Sequence, residues 1–402
     1  MLRFVLAMAL AALLPFSLAR AAEGAPATDP YAAGREVIAE IGDIVTPDGV
    51  DENLVVTLGG IPQAINVRGA SRKNPILLFL HGGPGAVEMP IAWSFQRPWE
   101  DFFTVVQWDQ RAAGKTYALS DPARIEPTLT PDRYRDDAIE LIEYLGKRYG
   151  QDKIVLMGHS WGSALGLLVA RKRPDLLIAY VGVGQIVDWR QNEKLGFEWT
   201  LARARATNNR AAIEDLEAMQ PYPPEKKPMV IDDADRWRKW AIGYGSLAAG
   251  RTNADFYFHA ARLSPEYTRE DLAAWDKGST FTVTTLWPRL SDLSFVDLKK
   301  LDVPVVLMLG RQDHTIAPEP AAEWLQKLDA PKKTVIWFEH SAHLPMLEEP
   351  GLFFAALVEQ VVPLAKLSRH AAFRAPSDTS KSFAARNRSA VPSSGILSLS
   401  LS

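Results

Sequence analysis

Lys153 to Pro174 reads KIVLMGHSWGSALGLLVARKRP. A short, nearly uniformly apolar run, the pattern of a strand buried on both faces of a parallel sheet, leads into Gly158-x-Ser160-x-Gly162 and then directly into a helical segment. Strand, serine between glycines, and helix in immediate succession form the nucleophile-elbow pattern. A serine on so sharp a turn stands exposed to a substrate, and small residues two positions to either side keep the neighbouring backbone from colliding. The helix that starts behind it adds a dipole favourable to an oxyanion.

A second stretch answers the first. Leu77 to Pro90, LLFLHGGPGAVEMP, places three glycines at the end of another apolar run. Glycines there serve an ordinary tight turn, or they aim backbone N–H groups at charge developing on a scissile carbonyl. With Ser160 on a neighbouring strand, the second use is expected. The N–H of Gly83 and that of Trp161, directly after the nucleophile, are the candidate oxyanion donors.

Around these two stretches the chain alternates. PILLFL, FFTVVQWD, KIVLMG, LLIAYVGV, VPVVLMLG and KTVIWF read as buried strands, and NLVVTLGGIPQAINVRG reads as a hairpin turning on Gly59-Gly60. The clearest helix opens at Thr130 and Pro131, carries Tyr134, Ala138, Leu141, Ile142, Leu145 and Tyr149 on one stripe, and stops at Gly150. The expected fold class is therefore α/β: a doubly wound, mostly parallel sheet with ligands at the carboxyl ends of its strands. Between Gly184 and Val305 the alternation fails and helical patterns take over, which predicts a helical cap over residues 186–295, inserted between core segments 22–185 and 296–366. Nine tryptophans and tyrosines from Trp189 to Trp275 are available to line a pocket or to fill the cap's own core.

A serine hydroxyl needs a base, and the base an orienting acid. On such a sheet these follow in the order Ser, acid, His, each after a later strand. Asp313 follows VPVVLMLG, whereas the competing Asp297 and Asp302 precede that strand and so sit at the wrong edge. Among seven histidines, His343 and His340 both follow the last strand. His343 is the expected base, because His340 comes so soon after the strand that it packs beside it.

Residues 1–21 begin with Arg3, run through an apolar segment broken by Pro15 and Ser17, and close on Ala19-Arg20-Ala21, the pattern of a secretory signal. No later segment reads as transmembrane, so no stable anchor is expected once the signal is removed, and the location is periplasmic or secreted. The absence of cysteine excludes disulfides and a thiol nucleophile and suits an oxidising compartment. The formal charge is −3; without Arg3, Arg20 and the tail's five basic and one acidic residues it is −9. That balance offers nothing to nucleic acid. Residues 367–402, rich in serine, alanine and arginine without apolar periodicity, are expected to be disordered.

HGGPG, VVQWDQRAAGKT and GHSWGS together resemble the proline iminopeptidase branch of the α/β-hydrolases, over about Val56 to Leu364. The resemblance implies the α/β-hydrolase fold and a serine hydrolase that uses no metal or other cofactor. It also implies a cap whose acidic residues grip the free amino group of a small peptide; Glu193, Glu198 and Asp255 are the candidates. Two departures concern the site. Ala112 and Thr116 replace a usual glycine and serine, and the cap segment Ala254-Asp255-Phe256-Tyr257-Phe258 lacks the usual glutamate, with Asp255 displaced by one. The expected function is an aminopeptidase releasing N-terminal proline. The alternatives are a carboxylesterase with the same triad and a non-catalytic binding protein on the same fold.

Overall fold

The structure is a computed structural model that describes residues 29–374. The signal-sequence expectation and most of the tail expectation fall on residues 1–28 and 375–402, outside the described residues. Of the expected tail, residues 367–374 are helical, within a helix that spans Val362–Arg374.

Strands β1 (Val50–Leu58) and β2 (Ile61–Gly69) form the expected hairpin. Gly59 and Gly60 both take positive φ, at 53° and 77°, as a two-residue turn matched to strand twist requires. The remaining strands are β3 (Ile76–Leu80), β4 (Thr104–Trp108), β5 (Ile154–His159), β6 (Leu177–Val183), β7 (Val305–Gly310) and β8 (Lys333–Phe338). They make one sheet in the order β1-β2-β4-β3-β5-β6-β7-β8, antiparallel from β1 to β4 and parallel from β4 to β8. Chain order reverses beside β3, so the loops after β3 and β5 open a crevice at the carboxyl edge.

Every residue of β3 to β7 is buried, as their apolar runs require. β8 differs. Only Phe338 is buried on it, because it is the edge strand and nothing among the described residues pairs with its outer side.

The crossover helix spans Pro131–Tyr149, capped by the Thr130 hydroxyl, which accepts from Arg133 N at 3.2 Å, and closed by Gly150 at φ 67°. Its stripe buries the predicted residues except Tyr149, which is half-buried in the last turn, and buries Asp137 besides. That carboxylate is tolerated because Arg111, Arg133 and Gln63 donate to it at 2.7 to 3.0 Å. Arg111 in turn donates to Gly59 O at 3.1 Å, tying the segment after β4 to the hairpin turn.

Between β6 and β7 the described residues contain helices and no strand: Trp189–Ala206, Arg210–Glu217, Ile231–Gly243, Asp255–Ala261 and Arg269–Leu286. Between the first two of these helices the chain breaks at Asn208 (φ 53°), after which the Asn209 side chain caps Arg210–Glu217. Trp189 N donates to Leu293 O at 3.0 Å and Phe295 N to Val187 O at 2.7 Å, a clasp where the chain leaves the sheet and returns. One late helix, Pro350–Ser368, is long and apolar enough by composition to cross a membrane, with mean hydropathy 1.4, which corrects the reading that no later segment is. Its apolar residues Phe353, Leu357 and Val361 are buried in the core.

Candidate active site

Ser160 follows β5 with φ 54° and ψ −120°, a conformation a non-glycine residue holds only when its surroundings enforce it. The neighbours do so by contact. A Cβ on Gly158 would lie 2.1 Å from Gly162 O, and one on Gly162 only 1.9 Å from Leu80 O. Ser160 N donates to Val183 O at 2.9 Å, and Ser163 Oγ to Ser160 O at 2.6 Å, as the helix Trp161–Lys172 begins. A Cβ on Gly82 would stand 3.1 Å from that of Ser160, so the glycine loop after β3 lies against the elbow. Gly83 has φ 110°, and a Cβ there would meet Gly85 N at 2.4 Å, so only glycine fits. The Trp161 amide is the first of its helix, where backbone N–H groups have no intrahelical acceptor.

Asp313 and His343 meet. His343 Nδ1 donates to Asp313 Oδ2 at 2.8 Å, while Asp313 Oδ1 accepts from Thr315 N at 2.9 Å and Ile316 N at 2.8 Å. Both side chains are buried, and His343 Nε2 has no partner among the described residues. Burial pushes the His343 pKa below its usual 6.5; Asp313 opposes this, and the nearby His159 and Arg238 add to it. His340 is exposed, with its backbone N on Glu349 at 3.0 Å, and Asp297 and Asp302 are exposed beside Lys299 and Lys300.

A buried pair that sequence reading passed over joins these loops. Glu88 accepts from Gly82 N at 3.3 Å and lies 2.7 Å from His159 Nδ1, and His159 Nε2 donates to His343 O at 2.9 Å. The rings of His159 and His343 are 4.6 Å apart. Thus the glycine loop, the residue before Ser160 and the base loop are one hydrogen-bonded unit. Burial raises the Glu88 pKa, and the bond to His159 holds it back. The signal was present: Glu88 is a lone charge among apolar residues just after the glycines. Replacing Glu88 with Ala strands the Gly82 N–H and one His159 nitrogen, costing roughly 1–3 kcal/mol for each unmet group. A lower melting temperature and lower kcat are expected, with Glu88→Gln recovering most of both because its carbonyl still accepts from Gly82.

Further buried groups support the same edge. His81 Nδ1 donates to Gly82 O at 2.8 Å and Nε2 accepts from Gln110 N at 3.2 Å, so the ring is neutral, its pKa pushed down to about 4 by burial. Glu348 accepts from Ala342 N and Leu344 N, on either side of His343, and from Ala249 N of the cap. Asp109 accepts from Lys115 N at 2.7 Å and from the Tyr267 hydroxyl, yet burial raises its pKa to about 7.

Of the three cap carboxylates, one is buried and paired and two are exposed. Glu193 is buried, but it accepts from Tyr222 Oη at 2.5 Å, Trp237 Nε1 at 3.1 Å and Arg238 Nη2, so its oxygens are taken. Glu198 is exposed beside Lys194, one turn away, at 3.8 Å. Asp255 is exposed at the start of Asp255–Ala261, where a carboxylate favours the helix dipole. For Glu193 this pairing corrects the expectation of a free carboxylate, since helical periodicity and charge do not reveal which helix face turns inward or what meets it there. Among the described residues, no group of three or more His, Cys, Asp and Glu is disposed to hold a metal ion.

Residues 75–350 match the model of the α/β hydrolase fold family. The chain belongs to that family and is a hydrolase. A probable aminopeptidase of Bacillus subtilis, YbaC, is 30% identical over 300 residues, which are 74% of this chain and 92% of that protein. A proline iminopeptidase of Neisseria meningitidis serogroup A is 35% identical over 305 residues, 71% of this chain and 88% of that protein. The crystal structure of proline iminopeptidase from Mycobacterium smegmatis shares the fold with a TM-score of 0.57 at 20% identity, covering 79% of this chain and all (100%) of that one. Within the family, the chain is of the proline iminopeptidase-like branch.

Proposed function

We propose that the protein is a serine hydrolase working through an acyl-enzyme, most like an aminopeptidase that releases N-terminal proline from small peptides. The observation that carries the mechanism is the His343–Asp313 bond, which leaves His343 Nε2 unbonded on a loop tied to the residue before Ser160. Ser160 Oγ attacks the scissile carbonyl as His343 Nε2 takes its proton, and Asp313 holds the imidazole tautomer and balances the imidazolium. The N–H groups of Gly83 and Trp161 stabilise the oxyanion. His343 then protonates the leaving amine and later activates the water that frees the acid. The export pattern of residues 1–21 supports a reaction in the periplasm or outside the cell.

The names of the similar proteins support a peptide substrate. One observation favours a carboxylesterase instead: Glu193, the buried one of the three cap carboxylates, has its oxygens taken by Tyr222, Trp237 and Arg238. Rates on prolyl-p-nitroanilide, its N-acetyl form and p-nitrophenyl acetate separate the two. An aminopeptidase prefers the free amine by roughly tenfold or more, the worth of a charge-assisted hydrogen bond. Equal rates on both anilides, or preference for the acetate, would replace it with the esterase.

A further inference from the structure

The cap is pinned onto the catalytic loops by named bonds. His343 N donates to Leu247 O at 3.1 Å, Thr315 Oγ1 to Ser246 O at 3.1 Å, and Asn192 Nδ2 to Thr315 O at 3.1 Å. The helices that precede or contain these anchors, Ile231–Gly243 and Trp189–Ala206, therefore stand over the acid and base loops. Arg238, on the first of them, is buried. Its guanidinium lies 5.1 Å from the centre of the Trp237 ring and 4.9 Å from that of Trp287. From Trp287 an aromatic chain runs to the nucleophile: Trp287 to Trp189 at 5.2 Å, Trp189 to Trp161 at 6.2 Å, and Trp161 follows Ser160. On the other side, a Cβ on Gly196 would meet Trp237 at 2.5 Å and His314 O at 3.1 Å, next to Asp313.

Three donors in this cluster stand out. Arg238 Nε, Trp189 Nε1 and Trp287 Nε1 are all buried without a hydrogen-bond partner among the described residues. A buried N–H that meets no acceptor costs free energy, and three in contiguous side chains mark a place for an acceptor that arrives from outside. Glu193 occupies Arg238 Nη2 and so orients the guanidinium while leaving Nε available. Asp235, one turn earlier, has interactions of its own. Such donors between indole faces suit the oxygens of a carboxylate, which a guanidinium binds in plane and which gains most from a water-poor setting.

We propose that Arg238, Trp189 and Trp287 form a carboxylate-binding subsite, so that the substrates are small molecules carrying a carboxylate besides the scissile bond. The proposal rests on reading Ser160 and His343 as the reacting groups. The lowering of the His343 pKa by Arg238 agrees with a short path between subsite and base. A peptide with a free carboxyl terminus and an ester of a dicarboxylic acid both satisfy this chemistry, and turnover of a prolyl dipeptide against that of the half-ester of a dicarboxylic acid distinguishes them.

The test is a ligand-observed NMR titration of Ser160→Ala protein with hexanoate and with hexanamide, which differ in charge and not in chain. Hexanoate is expected to bind roughly ten- to a hundredfold more tightly. Arg238→Lys keeps a cation for Glu193 but removes Nε–H, and Trp287→Phe keeps an aromatic ring but removes its N–H; each should shrink that preference. If Arg238→Lys does not fold, Trp287→Phe still reads the donor. Equal binding, no binding of either ligand, or a preference unchanged in the folded variants overturns the subsite. Because binding needs no turnover, failure of the wild-type chain to react with a fluorophosphonate would defeat the hydrolase mechanism separately.

Discussion

Ser160→Ala is expected to abolish fluorophosphonate labelling and to lower kcat by about 10⁴- to 10⁶-fold. The melting temperature should stay near that of the wild type. The hydroxyl makes no hydrogen bond on which the described fold depends, whereas the backbone bonds of Ser160 to Val183 and Ser163 survive the change. Relief of side-chain strain is not expected, since alanine at φ 54° is as constrained as serine. Label that persists on the variant would remove Ser160 from the mechanism.

His343→Gln should cost about as much, and His340→Gln almost nothing, when kcat/KM is compared on the same substrate. The geometry separates them: His343 is buried on Asp313, while His340 is exposed. The opposite result would reverse the assignment. The working base must be neutral, and burial lowers the His343 pKa, so neutrality persists to more acid pH than for a free histidine. The acidic limb of kcat/KM against pH should therefore lie below 6.5, the ordinary histidine value. Asp313→Asn should reduce kcat strongly, since an amide in place of the carboxylate no longer fixes the Nδ1–H tautomer or balances the imidazolium.

Local patterns carried most of the sheet. Each of its strands is a short apolar run of the kind that two-sided burial selects, or part of a hairpin with two glycines at its turn, and all eight were legible as strands. The elbow was legible for a similar reason: its glycines are needed by contacts within five residues or with the adjacent strand. The order acid-then-histidine after later strands sufficed to choose Asp313 and His343, because strand ends at one edge of a parallel sheet must come together.

What sequence reading missed lies in contacts between distant segments. Glu88 and His159 are 71 positions apart, and Glu193 and Arg238 are 45 apart. No periodicity connects either pair. Glu193, Glu198 and Asp255 all looked like equal carboxylates on cap helices, yet packing buried the first against Arg238 and left the others in water. β8 likewise had the composition of an inner strand, and its place at the sheet edge left it half-exposed. The sequence by itself determined the elements, their class and which residues to propose as the reacting groups, because those depend on local backbone geometry and on strand order. Only the tertiary structure decided which charges are paired, which donors lack an acceptor and which helix face covers the site, because burial and pairing are properties of what packs against a residue and not of the residue's neighbours in the chain.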